Sequence, residues 1–215
     1  MNSAVSPRPL VVLDCDSTTI RDEVIELIAD AAGTRDQVAE VTERAMRGEL
    51  DFAESLRERV ATLAGTRESV FADVLGRIRL TPGIRELIAA VHDRGGKVGV
   101  VSGGFHEVLD PLAEDLGLDF WRANRLEVSD GALTGRTVGP IVDAAAKAAA
   151  LREWADASGI ELSATVAIGD GANDLEMMAV AALGVSFDGK PVVRERADVS
   201  IENDLSLVIP MLDRL

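Results

Sequence analysis

Two aspartates, Asp14 and Asp16, directly follow a short apolar run and are the first side chains of the sequence that could do chemistry. Carboxylates two residues apart can share a cation, or one can attack an electrophile while the other transfers a proton. Aspartate and serine also favour turns, so the segment 14–18 is equally typical of a simple turn. The chemical interpretation therefore depends on what the rest of the chain places beside these two residues.

Polar groups in three later parts of the chain could serve a cation or an oxyanion. They are Ser102 and Gly103, Lys147, and the group Asp170, Asn173 and Asp174. A hydroxyl and glycine backbone N–H groups can closely approach an oxyanion, and carboxylates can hold a cation. Each also has a simpler interpretation: a glycine turn, a solvated lysine, and helix capping by an amide or carboxylate.

The elements that must position these groups are buried strands. Four apolar runs lack polar alternation, which is typical of strands covered on both faces of a parallel sheet: Leu10–Leu13, Val98–Val101, Thr165–Ile168 and Leu183–Phe187. Helical patterns over 82–94 and 144–157 lie between them. This alternation predicts an α/β fold with a doubly wound, Rossmann-like parallel sheet. Ligands bind such sheets at the carboxyl ends of the strands, where most of the polar groups occur.

One segment, from about Asp22 to Arg79, breaks the alternation. It contains four helical patterns and no convincing strand: Glu23–Ala32, Asp36–Arg47, Phe52–Leu63 and Glu68–Ile78. A helical block between the first and second strands indicates a cap over the active edge. We therefore predict a core of residues 1–21 and 80–215 and a small helical cap domain of residues 22–79. A hairpin is predicted over Asp119–Gly139, because Asp130-Gly131 is a turn signal.

The charge balance limits the class of partner. With 22 basic and 37 acidic residues, the formal net charge is −15 at pH 7. Such a surface repels nucleic-acid phosphates and anionic membranes, so we expect neither as a partner. The single cysteine, Cys15, excludes an internal disulfide, and the polar N-terminus lacks the apolar centre of a signal peptide. We expect a cytoplasmic protein; the sequence leaves open whether it is a monomer or a homodimer.

The polar fragments, in this order, resemble the four motifs of the haloacid dehalogenase-like phosphotransferase superfamily. Further segments extend the resemblance over roughly Val11 to Asp204, and they are similar to the phosphoserine phosphatase family in particular. These segments are Glu23–Ile25, Arg44–Phe52, Ser55–Arg59, Leu80–Gly83, Ala123–Glu127 and Asp130–Gly135. The resemblance implies a phosphatase that uses Mg²⁺ and hydrolyses O-phospho-L-serine through an aspartyl-phosphate, the last step of serine biosynthesis. Some members carry N-terminal regulatory domains, and we expect none in this chain.

The same resemblance implies catalytic and metal-binding roles. Asp14 would be the nucleophile, and Asp16 would be the general acid and base. Mg²⁺, which prefers oxygen ligands in octahedral geometry, would be bound by Asp14, the backbone carbonyl of Asp16, and Asp170. Asp174 would orient the water shell of the metal from behind. Lys147 and Ser102 would complete the catalytic group by stabilising charge on the phosphoryl oxygens.

Substrate contacts are implied for eight residues: Glu23, Met46, Phe52, Arg59, Ser102, Gly103, Lys147 and Asn173. Arg59 lies seven residues after Phe52 and shares a predicted helix face with it. Its guanidinium could bind a substrate carboxylate or extend to water. Glu23 could pair with a substrate ammonium or favour the positive end of a helix. Met46 and Phe52 would close over the substrate and exclude water.

Two alternatives stay open at this stage. Receiver domains of signalling systems also place a phosphorylatable aspartate at a strand end, with a hydroxyl residue and a lysine nearby. Asp16 and the helical insert argue against this alternative, because a switch needs neither an acid/base nor a substrate lid. The other alternative keeps the enzyme but changes its substrate to another small phosphomonoester, such as phosphohomoserine or phosphothreonine.

Overall fold

The structure, a computed structural model, describes residues 8–47 and 49–215, and for Met46 it describes the backbone alone. Within this part of the chain, seven strands form one sheet: β1 Leu10–Leu13, β2 Lys97–Phe105, β3 Phe120–Ser129, β4 Ala132–Val138, β5 Thr165–Gly169, β6 Leu183–Phe187 and β7 Val199–Ile201. Their order is β4-β3-β2-β1-β5-β6-β7, and every neighbouring pair is parallel except β3 and β4. The predicted α/β class, the four buried strands and the hairpin are confirmed.

Nine α-helices surround this sheet in the described residues. They are α1 Val24–Ala32, α2 Arg35–Met46, α3 Phe52–Ala61, α4 Val70–Leu75, α5 Ile84–Asp93, α6 His106–Leu116, α7 Ala144–Ser158, α8 Leu175–Val180 and α9 Pro191–Arg194. The first four lie between β1 and β2, as predicted, although α4 is shorter than its sequence pattern. None of the described helices has both the length and the apolar character needed to cross a membrane. The division into a core and a cap at residues 22–79 stays a prediction.

The helix predicted to open at Pro82 begins two residues later, because Gly83 has a left-handed backbone (φ +80°). A Cβ at this position would lie 2.1 Å from Asp204 Oδ1, so only glycine fits the close approach of this turn to the C-terminal segment.

The sheet is covered on both faces, as the apolar runs predict. Leu10 and Val12 pack into one cluster with residues of α7 and α8, whereas Val11 and Leu13 pack into the cluster on the opposite face. All four side chains are completely buried. Each buried side chain of this size stabilises the fold by about 1.5–3 kcal/mol, so β1 is firmly held at the centre of the molecule.

The position of β1 defines where a ligand can bind. β1 pairs with β2 on one side and with β5 on the other. The chain therefore leaves β1 toward one half of the sheet and later returns to build the other half. In doubly wound sheets, ligands bind outside the carboxyl ends of the strands at this reversal point. Asp14 is the residue that directly follows β1.

Candidate active site

Backbone and side-chain hydrogen bonds hold Asp14 at the reversal point of the sheet. Its backbone N–H donates to the carbonyl of Ile168 on β5 (2.9 Å), and the hydroxyl of Thr19 donates to its carbonyl (2.7 Å). Its Oδ1 accepts a hydrogen bond from Lys147 Nζ at 2.6 Å. Among the described residues, no donor reaches Oδ2. Asp14 therefore has one oxygen fixed by a cation and one available for chemistry.

Lys147 is completely buried in α7 and lies between two carboxylates. Its Nζ donates to Asp14 Oδ1 (2.6 Å) and to Asp174 Oδ1 (2.7 Å). Burial alone would lower the pKa of Lys147, but the two carboxylates outweigh it and raise the pKa above its ordinary value. The alternative of a solvated lysine is therefore wrong, and Lys147 is a permanent positive charge under the site.

Three carboxylates next to this lysine form an acidic cluster. Oxygen atoms of Asp14, Asp170 and Asp174 lie within 4.8 Å of one another. Burial, followed by the charge of Asp174, raises the pKa of Asp14 well above its usual range and that of Asp170 to about 6. One ammonium cannot neutralise three acids. A divalent cation that prefers oxygen ligands would neutralise the rest, so the cluster fits a metal such as Mg²⁺.

The two oxygens of Asp174 are already engaged. Oδ1 accepts from Lys147, and Oδ2 accepts from the backbone N–H of Gly171 at 3.0 Å. Asp14 and Asp170 are thus freer than Asp174 to contact a metal directly. This difference agrees with the predicted role of Asp174 behind the metal.

Asp16 lies on the irregular turn Cys15–Thr19 that follows Asp14. Its Oδ2 accepts from the backbone N–H of Val24 at 3.0 Å, whereas no described donor meets its buried Oδ1. Burial, and then the negative charge of Glu23, raises the pKa of Asp16 to about 7. A carboxyl group with a pKa near neutrality can both donate and accept a proton, as a general acid and base must.

Ser102 and Gly103 lie in the second half of β2. Ser102 is buried, and its hydroxyl oxygen accepts from the backbone N–H of Gly104 at 2.8 Å, which leaves the hydroxyl proton free to donate elsewhere. A Cβ on Gly103 would lie 2.9 Å from Cζ of Phe52, the first residue of α3. Glycine at this position therefore lets an aromatic ring of the helical block approach the strand edge.

One cavity of about 120 Å³ brings the predicted groups together. The strand edge contributes Asp14, Asp16, Ser102, Gly103, Asp170 and Asn173 to its lining, and the helices between β1 and β2 contribute Phe52, Leu56 and Arg59. Glu23, at the start of α1, also lines it, and the hydroxyl of Ser17 donates to its Oε1 at 2.7 Å. Residues separated by more than a hundred positions in the sequence thus share one small space.

Arg59 lines this cavity from the same face of α3 as Phe52 and Leu56, as the seven-residue spacing predicts. Its Nε donates to the carbonyl of Ser55 at 3.3 Å, and it forms no ion pair with any described carboxylate. Burial lowers the pKa of this guanidinium, although it still titrates far above neutrality. The remaining N–H donors are available to a bound anion.

Three predicted residues differ in their placement from the rest. Lys147 and Asp174 lie behind the carboxylate of Asp14 and do not line the cavity. Met46 ends α2, but its side chain lies outside the described residues, as does Gly48 of the same predicted motif. The predicted contact of Met46 with substrate stays a prediction.

Lys190 also lines the cavity, although no motif predicts it. Its backbone N–H donates to the carbonyl of Asp170 at 3.0 Å, and its charge counteracts the rise of the Asp170 pKa. The sequence signal for this residue is its position three residues after β6, at the same edge of the sheet as Asp14. A second cation thus accompanies Arg59 in a cavity that is otherwise acidic.

Comparisons with known proteins agree with this geometry. A family-level comparison matches residues 11–179 to the haloacid dehalogenase-like hydrolases. The chain is 58% identical over 204 residues to a phosphoserine phosphatase of Streptomyces coelicolor, covering 95% of this chain but only 48% of that protein. It is 52% identical to a phosphoserine phosphatase of Streptococcus thermophilus, covering 96% of both. The chain thus spans about half the length of the first relative and nearly all of the second.

A solved structure described as a phospho-aspartyl intermediate analogue of phosphoserine phosphatase is similar to this one. The two share 40% sequence identity and superpose with a TM-score of 0.89, over 95% of this chain and 99% of the other. Such agreement covers both the sheet and the helices between β1 and β2.

Proposed function

Because this chain belongs to the haloacid dehalogenase-like hydrolases, as its motifs predict, and its relatives there include phosphoserine phosphatases, we propose that it hydrolyses O-phospho-L-serine to L-serine and inorganic phosphate. The observation that carries the proposal is the shared cavity, in which Asp14 and Asp16 face Glu23 and Arg59. The cavity, about 120 Å³, is smaller than the roughly 300–1,000 Å³ of sites for drug-sized ligands. Its size therefore favours a small phosphomonoester over a phosphoprotein.

In the first half of the proposed reaction, the free oxygen of Asp14 attacks phosphorus, and the bond from phosphorus to the seryl oxygen breaks. Asp16, whose pKa of about 7 leaves it partly protonated at neutral pH, donates its proton to the departing seryl oxygen, which leaves as a hydroxyl group and not as an alkoxide. The phosphoryl group is then bound covalently to Asp14. This agrees with the phospho-aspartyl analogue of the related enzyme.

In the second half, water attacks phosphorus, and the bond to Asp14 breaks. Asp16, now ionised, accepts a proton from the water, which returns both aspartates to their starting states. Ser102 donates its free hydroxyl proton to a phosphoryl oxygen, and Lys147 stabilises the charge from beneath Asp14. Gly103 and Asn173 line the same space around the phosphoryl group.

The acidic cluster fits Mg²⁺ because its donors are oxygens and its negative charge exceeds that of the nearby cations. Asp14, Asp170 and the backbone carbonyl of Asp16 would hold the ion, with Asp174 orienting its water shell. When bound, Mg²⁺ supplies neutralising charge for the phosphoryl oxygens.

We propose that the helical block of residues 22–79 is a cap domain. Its residues would bind the amino-acid part of the substrate. Buried charges need partners, and phosphoserine brings a carboxylate and an ammonium besides its phosphate. The donors of Arg59 suit the carboxylate, and Glu23 suits the ammonium. Phe52 lies against Gly103 and excludes water where the block meets the strand edge. We further propose that the protein acts in the cytoplasm as a monomer or homodimer, without a nucleic acid or membrane partner.

A panel of phosphomonoesters tests the proposal. In Mg²⁺ buffer, kcat/KM is measured for O-phospho-L-serine, phosphothreonine, phosphohomoserine and p-nitrophenyl phosphate. We expect the highest value for phosphoserine and many phosphates released per enzyme molecule. A higher kcat/KM for phosphohomoserine or phosphothreonine would show that this compound, and not phosphoserine, is the substrate. Release of only one phosphate per protein molecule would support a signalling switch instead.

A further inference from the structure

We propose that Asn124, on β3, is a positioning residue that holds the phosphoryl-binding groups of β2 in their working orientation. The inference deepens the function proposed above and rests on it for the identity of the bound group. Asn124 itself lines neither the cavity nor the acidic cluster. It acts through Gly103 and Val142, to which its amide is hydrogen-bonded.

The need for such a residue arises from an irregularity in the sheet. β2 pairs with β3 from Gly99 to Val101, and the pairing resumes only where Phe105 meets Asn124. Three residues of β2, 102–104, thus face the single residue Ala123 between two paired positions. This bulge turns Ser102 and Gly103 out of the regular ladder and toward the cavity, as bulges beside active sites commonly do. It also deprives the Gly103 carbonyl of a strand partner.

Asn124 replaces the missing partner. Its Nδ2 donates to the carbonyl of Gly103 at 2.8 Å, and its Oδ1 accepts from the backbone N–H of Val142 at 2.9 Å. The Asn124 side chain is only 2% exposed; its bond to Val142 is buried and its bond to Gly103 is partly buried, and an unpaired backbone group in such a place is costly. The amide therefore fixes the bulge of β2 to the segment that leads into α7.

Asn124 affects the orientation of the Ser102 hydroxyl through the peptide group between Gly103 and Gly104. Its carbonyl, on Gly103, is held by Asn124, and its N–H, on Gly104, donates to the hydroxyl oxygen of Ser102 at 2.8 Å. With this plane fixed, the hydroxyl oxygen accepts from Gly104, so its own proton is left for a phosphoryl oxygen. Without Asn124 the peptide can rotate, and the direction of the hydroxyl is lost.

The second bond of Asn124 reaches the other phosphoryl-binding element. Val142 directly precedes Asp143, which caps α7 by accepting from the N–H of Ala146 at 2.9 Å. Lys147 follows in the first turns of the same helix. One buried amide thus links the Ser102 bulge to the helix that carries Lys147, so that the two parts of the phosphoryl site keep a constant separation.

The test separates the two halves of the substrate. Binding of inorganic phosphate and of L-serine is measured by calorimetry in Mg²⁺ buffer for the wild type and for N124L, which is similar in size but cannot hydrogen-bond. We expect phosphate binding to weaken roughly tenfold or more, which corresponds to about 1.4 kcal/mol for the lost bonds. L-serine, whose proposed partners are Glu23 and Arg59, should bind within about twofold of the wild type.

The matched control is T165V. Thr165 is equally buried, and its hydroxyl also bridges two backbone groups, the carbonyl of Leu162 and the N–H of Ala182, but at the opposite end of the sheet. T165V should lower the melting temperature and leave phosphate binding unchanged. If N124L does not fold, N124A, which removes the same donor without adding bulk, takes its place.

Equal weakening of phosphate and L-serine, or no weakening of phosphate, would overturn the role of Asn124. If the proposed substrate is wrong, L-serine will fail to bind the wild type. The phosphate measurement on N124L still decides the positioning role in that case.

Discussion

Arg59 provides the sharpest test of the proposal that this enzyme recognises an amino acid. Its guanidinium is half-buried on α3, donates one hydrogen bond to the carbonyl of Ser55, and forms no ion pair with any described residue. Partial burial lowers the pKa of this guanidinium, because desolvation disfavours the charged form. A substrate carboxylate could therefore accept hydrogen bonds from the N–H groups of this guanidinium that Ser55 does not use. Arg59→Ala removes that fork and leaves the phosphoryl site intact.

The size of the loss follows from the environment of Arg59. Removing one partner of a buried, hydrogen-bonded charge pair costs about 2–5 kcal/mol, which is roughly 30- to 5,000-fold in rate. Because Arg59 is only half-buried, water screens part of the interaction, so the lower part of this range applies. We expect kcat/KM for phosphoserine to fall about 30- to 100-fold. An aryl phosphate has no carboxylate, so its kcat/KM should change by less than about threefold.

The assay compares both substrates on three proteins. They are the wild type, Arg59→Ala, and the control Arg57→Ala, which removes an exposed arginine two residues away on the same helix. The control should leave both substrates unaffected, since its side chain faces solvent. An equal loss on phosphoserine and on p-nitrophenyl phosphate by Arg59→Ala would refute carboxylate recognition. Arg59 would then be a structural residue of α3.

Three further predictions concern the chemical groups. Asp14→Asn should abolish turnover, because an amide cannot attack phosphorus; substantial phosphatase activity would contradict the role of Asp14 as nucleophile. The substitution should not lower the melting temperature, because it removes one of three crowded carboxylates. A chelator should abolish activity, Mg²⁺ should restore it and Ca²⁺ should not, because its larger, looser coordination misplaces Asp14; full activity in metal-free buffer would exclude the metal site. Glu23→Gln should lower the pKa of Asp16, which is about 7 beside the charged glutamate. An alkoxide leaving group needs the proton of Asp16. The alkaline limb of kcat/KM for an alkyl phosphate that lacks an ammonium group should therefore move to lower pH, and an unmoved limb would refute the coupling.

The sequence by itself determined the class of fold and the edge of the sheet where chemistry occurs. Apolar runs such as Leu10–Leu13 have no polar face, so they can be stable only when both faces are buried, as in a parallel sheet. Polar residues that directly follow such strands must then meet at one edge, which is how Asp14 and Asp170 come together. The spacing of Phe52 and Arg59 was equally informative, because helical periodicity is a local property of the chain.

Tertiary structure alone decided which of these groups touch and what state they are in. Lys147 lies in an alanine-rich helix that would look the same if the lysine were solvated, and only the packing of α7 places it against Asp14, 133 residues away. The bulge of β2 and the bridge from Asn124 depend on the register between two strands, which no short segment encodes. The three-residue strand β7 is too short for a periodic pattern and exists through its pairing with β6. Contacts between distant segments depend on the free energy of the whole packed core, so they cannot be deduced from local propensity.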